Sequence, residues 1–83
     1  MRYTVVYDPS AEDQLMDIWM QAPNRRAVRN ASDDIDRRLK RSPDNVGYSV
    51  GSYRRLTIYP LAVEFVVSPL DRMVRVLKVD YLP

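Results

Sequence analysis

The 83-residue sequence contains neither cysteine nor histidine. That excludes a disulfide framework, thiolate or imidazole metal ligands, and cysteine or histidine as nucleophile or general base. Chemistry on this chain falls to Arg, Lys, Tyr, Asp, Glu, Ser or Thr, and no metal or cofactor is implied. Long apolar runs are missing too. Uncharged stretches such as residues 56–63 fall far short of the roughly 18 apolar residues that a membrane span requires. The amino terminus lacks a basic region followed by an apolar one. A soluble, cytoplasmic protein with no membrane partner is therefore expected. No repeat, linker or low-complexity tract interrupts residues 1–83, which read as a single domain. A domain of this size holds one core and a shallow surface groove rather than a deep cofactor cavity.

What is present is an uneven distribution of charge. The 13 cations against 11 acids leave a net charge of +2, but residues 1–22 are acidic on balance while residues 23–46 and 47–83 are basic. Nearly all the cations are arginines. Arginine suits bidentate phosphate contact and base stacking, so the bias favours an anionic partner, although it equally provides a solubilising surface.

Hydrophobic periodicity orders the elements. Tyr3, Val5 and Tyr7 alternate with Thr4 and Val6 in a short strand that stops at Asp8-Pro9. Ser10 with Asp13 three residues on forms a capping-box pattern, after which Ala11, Leu15, Ile18, Trp19 and Ala22 follow at helical spacing. Beyond Pro23-Asn24, the stripe Val28, Ala31, Ile35 and Leu39 predicts a second helix, ended by Ser42-Pro43. From Gly47 onward the period becomes two. Residues 53–59, 61–68 and 73–80 read as strands joined by connections short enough for antiparallel hairpins. The expected class is α+β in the order β-α-α-β-β-β, with a helical hairpin packed on one face of a mainly antiparallel four-stranded sheet. The other face, carrying Arg55, Thr57 and Glu64, stays open.

The opening Tyr3-Thr4-Val5, the series Pro9, Ala11, Leu15, Ile18 and Trp19, Ile35-Asp36 with Leu39, and Pro43 followed by Gly47 form a recognisable pattern. It continues in the strands Tyr53-Arg54-Arg55-Leu56 and Leu61-Ala62-Val63-Glu64-Phe65-Val66-Val67. It resembles the RelE/ParE superfamily of type II toxin–antitoxin toxins, the group that includes plasmid stabilisation proteins. The resemblance covers nearly the whole chain, mostly at core and turn positions. It implies a toxin neutralised by a cognate antitoxin, whose flexible segment wraps the toxin as helix and strand. In the RelE branch the implied activity is endoribonuclease cleavage of mRNA on the ribosome, by attack of a ribose 2′-hydroxyl on the adjacent phosphate. Such a step needs cations to neutralise the developing charge and groups to take and give a proton.

Carried onto this sequence, the resemblance places the family's basic strand position on Arg55, with Arg54 beside it, and makes Lys78 and Tyr81 the nearest equivalents of its carboxy-terminal acid; the residues themselves add Glu64 as a candidate general base and Arg75 as an extension of the basic stripe, which gives Arg55, Glu64, Arg75, Lys78 and Tyr81 as catalytic candidates and Arg54, Arg55 and Arg72 as RNA-binding ones. The sequence departs from the family at Ala62, where the family has an arginine. Each candidate also has an ordinary structural reading. Arg55 and Glu64 would form a cross-strand ion pair, Arg54 would snorkel on the face opposite Arg55, and Arg75 would protect a sheet edge. Trp19 suits core or helix-hairpin packing. Arg37, Arg38, Lys40 and Arg41 complement the negative end of the second helix. Two readings stay open: an mRNA endonuclease with the ribosome and mRNA as partners, or a non-enzymatic binder. The binder would be a ParE-like inhibitor of a target such as DNA gyrase, or a degenerate member that keeps only antitoxin binding.

Overall fold

The computed structural model describes residues 2–83. The chain begins with β1 (Thr4–Tyr7), α1 (Pro9–Gln21) and α2 (Arg25–Arg41). After a single 3-10 turn at Pro43–Asn45 come β2 (Tyr48–Val50), β3 (Tyr53–Ile58), β4 (Leu61–Ser68) and β5 (Met73–Tyr81). The strands make one sheet in the order β1-β5-β4-β3-β2, in which β1 runs parallel to β5 and every other pairing is antiparallel. The sheet thus has five strands where four are expected from the sequence. The additional strand, β2, is only three residues long. It pairs back on β3 through a two-residue turn at Gly51-Ser52, with Val50 opposite Tyr53. Gly51 supplies the positive φ that such a tight turn favours.

The helix stripes pack where their period directs them. Val28, Ala31, Ile35 and Leu39 are all buried on one side of α2, and Ala11 with Leu15 and Ile18 on α1, and Ala22 just after it, pack against the same core. They meet the inward residues of the sheet, Leu56, Leu61, Val63, Phe65, Val74, Val76 and Val79. Full burial of each large apolar side chain contributes roughly 1.5–3 kcal/mol.

The start of α1 differs from the expected capping box. The helix begins at Pro9 with Asp8 as its N-cap, and no side chain caps it. Proline is pre-organised for the first helical position. The Asp8 amide donates to the Val76 carbonyl, and its carboxylate is turned to Arg75 at 3.2 Å. Fixed in this way to β5, Asp8 sets the helix start two residues earlier than Ser10. At α2 the expected cap forms, with Asn24 Oδ1 accepting from the Ala27 amide at 3.1 Å.

Two local features set the phase of the sheet. Across β4 and β5 the register shifts between Glu64, opposite Lys78, and Phe65, opposite Val76, which leaves Leu77 as the extra residue of a β-bulge. Close to the bulge, the Val79 amide donates to Gln14 Oε1 of α1 at 2.8 Å, tying the helix to the sheet. At Gly47, φ is +66°, and a Cβ there would lie 2.1 Å from the Arg55 carbonyl oxygen. Only glycine allows the chain to pass β3 so closely.

Candidate functional site

With both helices on one face, no element of the described residues covers the opposite face of the sheet, and its centre carries charge. Arg55 on β3, Glu64 on β4 and Lys78 on β5 lie side by side in register. The Arg55 Nη1 donates to Glu64 Oε2 at 3.0 Å and to Asp80 Oδ2 at 3.3 Å. Lys78 Nζ stands 3.7 Å from the other Asp80 oxygen. The side chains of Arg55 and Glu64 are only 24% and 18% exposed. Two cations and two carboxylates therefore form a closed and formally neutral network. Ala62, opposite Thr57 and Asp80, is fully buried beneath it.

The other sequence-derived candidates do not join this cluster. Arg75 is on β5 but pairs with Asp8 on the β1 side of the sheet, so no basic stripe runs from Arg75 to Arg55. Tyr81 is opposite the core residue Leu61 and packs against the core on the helix side, where it lines a small recess with Asp17, Ile18, Gln21 and Ala22. The bulge at Leu77 explains why: one extra residue reverses the alternation, so Val79 and Tyr81 turn inward while Lys78 and Asp80 turn outward.

The three arginines assigned to RNA are likewise dispersed. Arg54 donates to the Val46 carbonyl through Nε at 3.2 Å and Nη2 at 3.0 Å, and to the Gly47 carbonyl at 3.3 Å. It is a brace for the loop before β2. Arg72 sits at the β4–β5 hairpin tip with φ at 54°, its guanidinium 5.5 Å from the centre of the Tyr3 ring. Only Arg55 of the three is at the centre of the open face.

A second feature lies on the helical side, between α1 and α2. Leu15, Met16, Trp19 and Val28, with Tyr7 behind them, line an open apolar groove of about 470 Å³. Met16, Trp19 and Met20 are 59%, 37% and 64% exposed. Arg25 lies 6.0 Å from the centre of the Trp19 ring and donates through Nε to the Trp19 carbonyl at 3.1 Å, covering the negative end of α1. Tyr7 is mostly buried, and desolvation, reinforced by the negative Asp36, pushes its hydroxyl up to about 12. Trp19 therefore packs at the helix hairpin, as its spacing indicates, but is not closed over. The sequence holds a signal for this groove in Arg25, Arg26 and Arg29, which crowd the first turns of α2 where no acid stands and where cations are unfavourable.

No helix of the described residues is long and apolar enough to cross a membrane. No protein-family model matches the sequence, and comparison with curated proteins finds no match. Solved structures do match. A chain of the RelBE2 toxin–antitoxin complex from Mycobacterium tuberculosis superposes with a TM-score of 0.80, at 19% identity, over 98% of this chain and 99% of its own. A chain of the chromosomal ParDE system from P. aeruginosa does so with a TM-score of 0.65, at 17% identity, over 99% and 98%. TrmO from P. aeruginosa gives 0.62 at 18% identity, over 94% of this chain but only 33% of that one. The chain thus has the fold found in the RelE/ParE toxin–antitoxin complexes. Part of TrmO has a similar fold, so the fold by itself carries no single activity.

Proposed function

We propose that this chain is the toxin component of a type II toxin–antitoxin module, neutralised by a cognate antitoxin, and that it acts by binding a target rather than by cutting RNA. The toxin reading is supported by near end-to-end similarity to chains of two toxin–antitoxin complexes, together with the pattern of core and turn residues in the sequence. The binding mode is supported chiefly by Arg55, held at 3.0 Å and 3.3 Å by Glu64 and Asp80.

A phosphate clamp needs uncompensated positive charge aimed at where the phosphoryl charge develops. Here the open-face cations each have a carboxylate partner: Arg55 with Glu64 and Asp80, Lys78 with Asp80, and Arg75 with Asp8. Ala62 supplies no charge, and Tyr81 faces the other way. A nuclease would have to release Arg55 from two carboxylates at once. A protein-binding surface has no such requirement, since a neutral patterned network fixes register and orientation.

The test is expression of the chain without its partner, with plasmid supercoiling and mRNA integrity followed in the same cells. Growth arrest with intact mRNA supports a binding toxin, and loss of supercoiling would identify gyrase as the target. Co-expression with the product of the neighbouring reading frame, followed by size-exclusion chromatography and a growth rescue assay, tests the antitoxin. A neighbour that neither co-elutes nor restores growth removes the toxin–antitoxin assignment.

A further inference from the structure

Methionine is ordinarily a core residue whose flexible thioether fills gaps. Here the core is built from valine, leucine, isoleucine, alanine and phenylalanine, and none of Met16, Met20 and Met73 belongs to it or packs against it. Met16 and Met20 are the most exposed of the three, at 59% and 64% against 37% for Met73. They stand one turn apart on α1 on either side of Trp19 in the sequence, and Met16 lines the groove beside the Trp19 ring. A spacing of four residues on a helix brings two side chains next to each other. The chain has no cysteine, so its thioethers are its only sulfur atoms and take the attack of any oxidant selective for sulfur.

The fold does not depend on these two side chains. α1 packs through Ala11, Leu15 and Ile18 and is tied to β5 by Gln14. Its last turn is held through main-chain oxygens, with Arg25 donating to the Trp19 carbonyl at 3.1 Å and to the Met20 carbonyl at 3.3 Å. An oxygen added to either sulfur therefore meets solvent rather than the core. We propose that Met16 and Met20 form a paired site of reversible oxidation by hydrogen peroxide, which switches the apolar surface beside Trp19 to a polar one while the chain stays folded. A sulfur lone pair attacks one peroxide oxygen, and the S–O bond forms as the O–O bond breaks. The departing hydroxide takes the proton of the transferred oxygen and leaves as water, so the sulfur loses two electrons and the peroxide gains them. A methionine sulfoxide reductase reverses the step, the sulfoxide oxygen leaving as water while a dithiol becomes a disulfide. Because the site depends only on exposure and on the lack of competing thiols, it stands independently of the toxin–antitoxin reading.

Trp19 is the only tryptophan in the sequence, so its emission reports this surface. The test treats the purified chain with hydrogen peroxide and follows peptide mapping by mass spectrometry, Trp19 emission and far-ultraviolet circular dichroism together. The first oxygens are expected on Met16 and Met20, ahead of Met73, with a red shift of Trp19 emission in step with them and an unchanged dichroism spectrum. Methionine sulfoxide reductases A and B with a dithiol should reverse the shift. Met16→Leu with Met20→Leu, a volume-conserving pair, should fold as the parent does and lose the peroxide-dependent shift. Met16→Gln with Met20→Gln should show the shift without peroxide. Oxidation of Met73 first, a shift that persists in the leucine variant, or loss of the folded dichroism spectrum in step with oxidation overturns the proposal. A shift that the reductases leave in place overturns its reversibility.

Discussion

Arg55 lies directly opposite Glu64 across the β3–β4 pair, and one of its terminal nitrogens donates to both Glu64 and Asp80. Arg55→Ala would leave two half-buried carboxylates facing each other with Lys78 alone beside them. The variant is expected to lose about 1–3 kcal/mol in urea denaturation. Arg55→Met combined with Glu64→Met is expected to lose less than the sum of the single changes, with a coupling of roughly 1 kcal/mol. Strict additivity would mean that the pair does not act as a unit.

Gly47→Ala is expected to destabilise the protein by about 1–3 kcal/mol or more. The added Cβ meets the Arg55 carbonyl at 2.1 Å, and the backbone there has a φ of +66°. Gly51→Ala shares the positive φ but meets nothing within 4 Å. It should be the milder of the two in thermal unfolding.

The helix starts are distinguishable by single substitutions. Asn24→Ala removes the cap bond to Ala27 and is expected to cost about 1 kcal/mol. Ser10→Ala, at the expected capping-box position that the structure does not use, should stay within about 0.5 kcal/mol of the parent. Equal losses would restore the capping box.

Alkaline pH should destabilise the fold through Tyr7. Its hydroxyl ionises near 12 in the folded protein and near its ordinary value of 10 when unfolded. Above pH 10 the unfolded chain therefore holds fewer protons than the folded one, and stability falls with rising pH. The contribution is fully present below pH 10 and is lost by about pH 12, amounting to roughly 2–3 kcal/mol. Tyr7→Phe should flatten that part of the profile measured by urea denaturation, and an unchanged slope would place the effect elsewhere.

The helical hairpin was readable because Val28, Ala31, Ile35 and Leu39 repeat at a period that only one element satisfies, and each is buried. β2 escaped because three residues give too little alternation to register. Its one clear mark was Gly51-Ser52 between Val50 and Tyr53, a two-residue hairpin signal. The pairing of Arg55 with Glu64 followed from strand alternation, whereas Tyr81, a candidate through the family resemblance, lies on the helix side of the sheet. The bulge at Leu77 turns the phase by one residue, and nothing in Val76-Leu77-Lys78 announces it. Long-range ion pairs were less accessible still: Asp8 with Arg75 depends on β1 lying beside β5, a parallel neighbour far away in sequence. The groove beside Trp19 depends on how α1 and α2 pack side by side, which a helical period does not specify.

The most direct measurement of the proposed binding mode is mapping of mRNA 5′ ends after induction of the chain alone, alongside a growth curve. Growth arrest without new ribosome-dependent ends is expected, for the parent chain and for Arg55→Ala alike. New ends that appear on induction and vanish with Arg55→Ala, at unchanged protein level, would contradict the account and make Arg55 part of a nuclease site.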